Sequence, residues 1–596
     1  MNNSWNSQQH TNQEIPNSRL KKMRLLIPKF PTQPPAWLEN ITKRLTGREK
    51  TALGVLVLTL IISGVISAVG YIDRNSHLVA QFGGTYKEAQ VGQPHYINPI
   101  LSSANDLDLD LTRLVYSSLF RLNDNLELEN DLATDYQISN NGLTYTIHIR
   151  QDVSWHDGQP LTAEDVIFTI RSIQTQEYGS PLASSFQGVQ AEKGEDNYTV
   201  IFTLKQPYSP FLVNLTVGIV PHHVWENIPP KNASLAEQML KPVGTGPFKF
   251  AEITTRRKTG EITEFRLIRN EGYYGKRPYL DEFIVLFYNS QEEATSALLS
   301  GTVDGLGFLP LSLAEKFEGR TSFKIEQLSL PQYFGLFFNE SKNEALGNAG
   351  VRAALSLAVD RDAIVEKALR GYATALAVPI PKGPFNINID ETINDYDPEK
   401  AKQNLDEAGW KDTDEDGIRD KDGKPLELKI ATTEWPEYIA TAQAIQEQWA
   451  QIGVATTIEQ FGAGTIQQTI VGPRDYEILL YGEILPADPD PYPFWHSTQS
   501  RAPGLNLAQL KDAKIDTLLE EARKTNNIQE RQEKYREFLA RFTDLKPAII
   551  LYQPSYLYAH STALRGQTIT NVNLPSARFN EVEAWHIKTK RVWGKE

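Results

Sequence analysis

Residues 131–169 read DLATDYQISNNGLTYTIHIRQDVSWHDGQPLTAEDVIFT, and the order of short elements in this stretch decides the fold class. Apolar and polar side chains alternate from residue 143 to 149, directly after the pair Asn141-Gly142. This period of two after Asn-Gly is typical of a β-strand that follows a hairpin turn. An approximate capping box at 162–165 then predicts a helix. Strand, turn and helix therefore follow one another closely.

The same alternation recurs in the later part of the chain. Asp397 as N-cap and Pro398 as first helical residue predict a helix that ends at Gly409. A second predicted helix has an apolar face over 439–452 and leads into a strand at 454–458. Two more helices are expected within 507–545, and a buried strand at 547–552. Together these patterns predict an α/β protein with several lobes.

Composition and charge exclude several classes of function. The chain has 596 residues, and at about 150 residues per domain this length predicts more than one structural unit. Cysteine is absent, so disulfides, thiolate nucleophiles and a lipidated cysteine anchor are excluded. Residues 1–50 carry a net charge of +6; because the total is −14, the rest carries −20. Nucleic acid is therefore not an expected partner of the larger part.

One segment is apolar enough to cross a membrane. Residues 51–72 read TALGVLVLTLIISGVISAVGYI, which is 22 residues without a charge. As a helix rising ~1.5 Å per residue, this segment spans ~33 Å, about the thickness of a bilayer core. Four basic residues lie just before it, whereas Asp73 and Arg74 cancel just after it. The positive-inside rule then leaves residues 1–50 as a cytoplasmic basic tail and places the large C-terminal part outside the cytoplasmic membrane, in the periplasm.

A cleaved signal peptide is the alternative interpretation of this segment. Ala68-Val69-Gly70 offers the small residues that a signal peptidase prefers. The apolar run is longer than the usual 7–15 residues of a signal peptide, which favours a retained single-pass anchor.

The sequence contains no pattern that predicts catalysis or a cofactor. The zincin, G-x-S-x-G, P-loop and G-x-G-x-x-G motifs are all absent, and the ten histidines are scattered, so no catalytic, cofactor or metal residue is assigned. Residues 412–417, DTDEDG, match the first half of a calcium loop, but position 12 is Gly423 instead of a bidentate Glu. An Asp/Gly-rich turn before a strand is the favoured interpretation, with calcium left open.

An unusual polar cluster lies at 487–495, ADPDPYPFW. Its prolines deny the backbone regular structure and hold two carboxylates among three aromatic rings. A carboxylate in such surroundings is suited to a ligand ammonium group. An ordinary Asp-Pro turn explains the same residues, so spacing alone leaves both interpretations open.

Seven stretches in order resemble the family 5 extracellular solute-binding proteins of ABC importers, the oligopeptide, dipeptide and nickel-binding group. They are GGTYKEAQVGQPHYINPIL from Gly83, the stretch from Asp131 quoted above, VGTGPFKF from Val243, YFGLFFN from Tyr333, VRAALSLAVDRDAIV from Val351, YDPEKAKQNLDEAGW from Tyr396 and ADPDP from Ala487. The resemblance covers roughly residues 83–580. It implies a two-lobed fold of the periplasmic-binding-protein type, preceded here by one N-terminal transmembrane helix.

The resemblance also implies the domain boundaries. Lobe I would be discontinuous, comprising 84–115, 239–333 and 549–590, with an inserted subdomain at 116–238. Lobe II would be 334–548. The ligand would lie between the lobes, where pockets commonly form.

The peptide-binding members of the family imply the site residues. An Asp of lobe II neutralises the ammonium group of the peptide, a role that falls on Asp488, with Asp490 in reserve. Gln93 and its neighbours would offer backbone from lobe I. The aromatic candidates for the walls of the site are Tyr333, Trp435, Tyr481 and Trp495.

This chain departs from the family pattern in two places. Ile484-Leu485-Pro486 stands where an aromatic residue is common, and the spacing of the two Asp residues is one shorter than in dipeptide binders. The expected function is a non-enzymatic receptor, tethered by residues 51–72, that captures oligopeptides or dipeptides for ABC permease subunits. A non-peptide solute such as a metal chelate, an oligosaccharide or an amino-acid conjugate is the first alternative, and an anchored hydrolase is the second.

Overall fold

The computed structural model describes residues 45–381 and 396–594. The strands, in chain order, are β1 Ser76–Ala80, β2 Thr85–Val91, β3 Phe120–Leu122, β4 Leu128–Asn130, β5 Ala133–Ile138, β6 Thr144–Ile149, β7 Gln190–Lys193, β8 Thr199–Thr203, β9 Phe248–Thr255, β10 Ile262–Arg269, β11 Glu282–Tyr288, β12 Gly305–Leu306, β13 Phe323–Ser329, β14 Gln332–Phe338, β15 Ala373–Ala375, β16 Asp420–Lys421, β17 Lys424–Pro425, β18 Glu427–Thr433, β19 Ala455–Phe461, β20 Ile478–Ile484, β21 Ala548–Ser561 and β22 Thr589–Trp593. The α-helices are α1 Gly47–Asn75, α2 Asp106–Val115, α3 Ala163–Gln174, α4 Phe211–Asn214, α5 His222–Trp225, α6 Gln291–Leu299, α7 Leu311–Ala314, α8 Ala349–Leu357, α9 Arg361–Leu369, α10 Pro398–Glu407, α11 Pro436–Ala450, α12 Ala463–Ile466, α13 Tyr492–Trp495, α14 Ala513–Lys524 and α15 Ile528–Leu545.

The chain divides into two units, 1–79 with 591–596, and 80–590. In the first unit, α1 has 29 residues and extends beyond the predicted apolar segment at both ends. It begins earlier because Thr46 and Glu49 form a capping box, in which the Glu49 carboxylate accepts from the Thr46 backbone N–H at 2.8 Å. Among the described residues, α1 is the one helix long and apolar enough to span a membrane, with a mean hydropathy of 2.6.

The second unit is built on a twelve-stranded sheet. Its order is β19-β18-β20-β14-β21-β12-β2-β11-β10-β9, and β13 and β15 also pair with β21. Two groups of strands are parallel: β11 and β12 each pair with β2, and β19 and β20 each pair with β18. Such parallel groups require crossover connections, which explains the strand-to-helix alternation seen in the sequence.

The buried apolar residues of this unit form separate cores on either side of the middle of the sheet. Two clusters draw their residues from 86–328 and 557–585, and we call this part the first half. Two others draw theirs from 333–552, and we call this part the second half. The chain crosses between the halves at 329–332 and 553–556. The Gln553 amide connects the two crossings by donating to Ser329 Oγ at 2.9 Å and to the Leu330 carbonyl at 2.5 Å.

Residues 131–169 fold as predicted. Strand β6 lies in an antiparallel sheet of order β5-β6-β8-β7, and its apolar side chains are buried. A turn at Asp157-Gly158 follows β6, and in it the Gly158 backbone N–H donates to the Trp155 carbonyl at 2.8 Å. The capping box of α3 is confirmed too, since the Asp165 carboxylate accepts from the Thr162 N–H at 2.8 Å.

Predictions for the second half are largely confirmed. Asp397 caps α10 by accepting from the Lys400 N–H at 2.8 Å, and α11, β19, α14 and α15 lie where the patterns place them. The predicted strand at 547–552 is wrong in length, because β21 continues to Ser561. It continues because its first part pairs with β14 and its last part with β13, so that one strand serves both halves.

Candidate functional site

The carboxyl ends of both groups of parallel strands lie beside the two crossings. In the second half, Ile484 at the end of β20 pairs with Gln332, the last residue of one crossing. In the first half, Leu306 at the end of β12 pairs with Ala559 of β21, which runs antiparallel to it from the other crossing. Ligands of open α/β sheets bind at the carboxyl ends of the strands. We call these ends, with residues 329–332 and 553–556, the strand-end region.

Apolar side chains are exposed in the strand-end region. Trp435 follows the end of β18 and is 54% exposed, and Ile484 is 58% exposed. Tyr481 is half-buried, and its hydroxyl donates to Gln467 Oε1 at 3.4 Å. From the first half, Tyr556 contributes a half-buried ring. Exposed apolar groups of this size beside polar backbone are typical of ligand-binding surfaces.

The carboxylate of Asp488 is buried and already paired. Its two oxygens accept from the two terminal nitrogens of Arg531, one of them at 3.0 Å, and both side chains are less than a tenth exposed. Burial raises the pKa of Asp488, and the guanidinium opposes this rise. Tyr535, on the same helix as Arg531, donates to the Pro489 carbonyl at 2.7 Å. The loop at 487–491 is therefore tied to α15.

Asp490 is paired in the same way with another arginine. Its Oδ2 lies 2.9 Å from both Nε and Nη2 of Arg523, and its Oδ1 accepts from the Tyr492 N–H at 3.2 Å. Both acidic groups of the loop are thus compensated by guanidinium groups of α14 and α15. The predicted role of Asp488, with Asp490 in reserve, as partner of a ligand ammonium group stays a prediction.

A buried polar network lies behind this loop. The Tyr333 hydroxyl donates to the Glu483 carboxylate and accepts from Trp495 Nε1 at 3.2 Å. Burial raises the pKa of Glu483 well above its usual range. Its Oε1 has no hydrogen-bond partner among the described residues. Tyr333 and Trp495, predicted as walls, are 0% and 1% exposed, so their rings lie in the core.

In the first half, a buried charged cluster includes two side chains of β2. Arg578 donates to Glu88 at 2.6 Å and to Asp110 at 2.8 Å, and Gln90 donates to Asp110 at 2.6 Å. Burial raises the pKa of Asp110 to about 6, because the guanidinium only partly offsets the cost of desolvation. Gln93, predicted to offer its backbone, uses its side chain to bond both the N–H and the carbonyl of Ile262, at 2.8 and 3.0 Å.

The segment that follows β8 of the four-stranded antiparallel sheet contacts Arg523 of the second half. The guanidinium lies 5.3 Å from the centre of the Tyr208 ring and 4.1 Å from that of Tyr492. The Ser209 backbone N–H donates to the Arg523 carbonyl at 2.9 Å. A cavity of about 660 Å³ is lined by the side chains of Arg523, Tyr208 and Tyr492. Arg523 therefore joins the Asp490 loop to the segment that follows β8.

The Asp/Gly-rich loop has the geometry of a turn. Asp412, Asp414 and Asp416 are exposed, and one carboxylate oxygen from each lies within 4.8 Å of the others. Asp412 accepts from the Gly417 backbone N–H at 3.0 Å, as a turn-forming Asp does.

Sequence reasoning missed Glu483, Arg523, Arg531 and the cluster around Arg578. The only signal for Glu483 is its place in β20, where the alternation of side chains points a charged residue inward. The arginines lie 33 to 43 residues downstream of their carboxylates, in helices whose sequence shows ordinary amphipathic faces.

Comparisons with known proteins agree with this architecture. The family model of the bacterial extracellular solute-binding proteins, family 5 middle, matches residues 127–505. The oligopeptide-binding protein AppA of Bacillus subtilis is 30% identical over 560 residues, covering 91% of this chain and 99% of that protein.

Two solved structures share the fold. One is AppA from Bacillus subtilis in complex with a nonapeptide, with a TM-score of 0.64 and 28% identity over 87% of this chain and 100% of that one. The other is NikZ from Campylobacter jejuni in complex with Ni(L-His), with a TM-score of 0.67 and 29% identity over 84% of this chain and 99% of that one. The mixed α/β fold is therefore that of the periplasmic binding proteins, as the sequence predicted. The matched proteins are binding proteins of ABC transporters, which agrees with the prediction of a non-enzymatic receptor.

Proposed function

Because the chain belongs to the family 5 bacterial extracellular solute-binding proteins, we propose that it captures oligopeptides or dipeptides and delivers them to the permease of an ABC importer. The observation that carries this proposal is the near-complete alignment with AppA, whose solved structure holds a nonapeptide. The strand-end region would be the binding site. Its exposed Trp435 and Ile484 would pack against peptide side chains, and backbone groups at the strand ends would pair with the peptide backbone.

Capture would proceed by closure of two lobes close to the predicted ones, with the second division at the crossing 553–556 instead of at 548–549. The separate cores of the two halves support this proposal, because each half can move as a rigid body. The crossings at 329–332 and 553–556 would serve as hinges. The contact of Arg523 with Tyr208 and Ser209 would then form when the lobes close.

Helix α1 would hold the receptor at the cytoplasmic membrane, with the second unit in the periplasm. Its length, its mean hydropathy of 2.6 and the basic residues before it support a retained anchor. An anchor would replace the lipid-bearing cysteine that this chain lacks, and would keep captured peptides near the permease.

A non-peptide solute is the second candidate, and one observation favours it. Asp488 and Asp490 are both paired with arginines, so the loop presents no uncompensated carboxylate for a peptide ammonium group. The similar protein NikZ was solved in complex with Ni(L-His).

Calorimetric titration of the full chain separates the two candidates. A mixture of short peptides is expected to bind with measurable heat, whereas Ni²⁺ with L-histidine is expected to give none. Binding of the nickel complex without binding of any peptide would contradict the peptide proposal.

A further inference from the structure

The C-terminal strand of the chain is attached to the end of the apolar helix. Within the first unit, Arg591 pairs with Asp73 at 2.6 Å and donates to Ser76 Oγ at 3.0 Å. The Gly594 backbone N–H donates to the Asn75 carbonyl at 2.9 Å. These contacts fix residues 591–594 beside the last turn of α1.

This attachment brings two exposed aromatic rings together. Trp593 is 63% exposed and Tyr71 is 65% exposed, and their ring centres lie 6.3 Å apart. Val592 precedes Trp593 in β22, so its side chain, 36% exposed, lies on the other face of the strand at nearly the same level. Two exposed aromatic rings side by side form an apolar patch, and such a patch is typical of a surface that binds an apolar partner.

The position of Tyr71 along α1 identifies that partner. Tyr71 lies twenty residues after Thr51, where the uncharged run begins. At ~1.5 Å per residue this distance is ~30 Å, the thickness of a bilayer core. Tyr71 therefore reaches the outer boundary of the hydrocarbon, and Trp593, 6.3 Å away, lies near the same level. Tyrosine and tryptophan are the residues enriched at this boundary.

We propose that Tyr71 and Trp593 form a lipid-binding surface, through which β22 rests on the outer leaflet of the membrane. Arg591, which pairs with Asp73, would lie at the level of the lipid headgroups beside this surface. The inference rests on the proposed anchor. It adds that residues 591–593 contact the membrane as well, so that α1 would not be the sole attachment among the described residues.

Because the chain has no cysteine, single cysteines can be introduced for nitroxide labels without removing any native group. The test uses the full chain in vesicles of phosphatidylethanolamine and phosphatidylglycerol. Val592→Cys reports on the depth of β22 next to Trp593, Val65→Cys on the middle of α1, and Leu235→Cys, at 85% exposure in the second unit, serves as the aqueous reference. Accessibility to oxygen, which partitions into lipid, is compared with accessibility to a water-soluble nickel chelate.

We expect the oxygen-to-chelate ratio at 592 to be several-fold higher than at 235 and lower than at 65. Adding Trp593→Ser to the Val592→Cys chain should move the ratio at 592 towards that at 235. A lipid-like ratio at 65 with an aqueous ratio at 592 would overturn the lipid-binding surface and leave the anchor intact. Aqueous ratios at both positions would overturn the anchor and the surface together.

Discussion

Removing the charge of Asp488 should destabilise the protein, because it leaves the Arg531 guanidinium buried without its carboxylate. The side chains of Arg531 and Asp488 are 4% and 8% exposed. Breaking such a pair by removing one partner costs about 3–5 kcal/mol. Asp488→Asn and Arg531→Gln should each lower the free energy of unfolding of the second unit by about this amount. The double variant should lose less than the sum, since it leaves no unpaired charge.

The same variant decides whether Asp488 contacts a peptide ammonium group. If the Asp488–Arg531 pair positions the loop, Asp488→Asn should lower the affinity for a free-amine peptide and for its N-acetylated form by the same factor. If Asp488 binds the ammonium group, only the free-amine peptide should lose affinity, by about a hundred-fold or more for 3 kcal/mol.

Calorimetry with both peptides, together with denaturant unfolding, measures both effects. Loss confined to the free-amine peptide, with unchanged unfolding, would refute the positioning role. Arg536→Gln is the matched control, because its pair with Glu533 lies on the same helix but is largely exposed, so little change is expected.

Two further predictions concern closure and acid stability. Tyr208→Ala removes the ring beside Arg523, a contact of about 1 kcal/mol, and should weaken ligand binding about five-fold; unchanged affinity would contradict a role in closure. Burial lowers the pKa of His156 to about 4 from its usual 6.5. The native state then binds fewer protons than the unfolded state, so the stability that neutral His156 contributes, at most about 3 kcal/mol, should be lost as the pH falls from 6.5 to 4. Denaturant titrations should show that His156→Gln has a flatter pH dependence; an unchanged slope would contradict the assignment.

Local signals predicted most of the elements because each of those signals acts within a few residues. The Asn-Gly turn before β6, the capping box of α3 and the Asp397 cap of α10 need no distant partner. Strand β21 was underestimated because Pro554 interrupts the apolar run. In the structure Pro554 lies at the crossing between the halves, opposite Ala373 of the short strand β15.

The candidate site was less predictable because its charges are paired over long distances. The sequence shows two carboxylates at Asp488 and Asp490 but not the arginines that compensate them. The sequence likewise did not show which of the predicted aromatic residues are buried. Trp435 follows the end of β18 and is exposed, and Tyr481 in the middle of β20 is half-buried, whereas Tyr333 and Trp495 join Glu483 in the core. Alternation along a strand predicts a face, but it does not show whether another element covers that face.

The most direct test of peptide capture is mass spectrometry of the small molecules released when the purified full chain is denatured. Closed binding proteins retain ligand when dissociation is slow, so bound solute from the cell should be recovered. The account predicts short peptides of mixed sequence. Recovery of a single non-peptide species, or of a metal chelate alone, would contradict it.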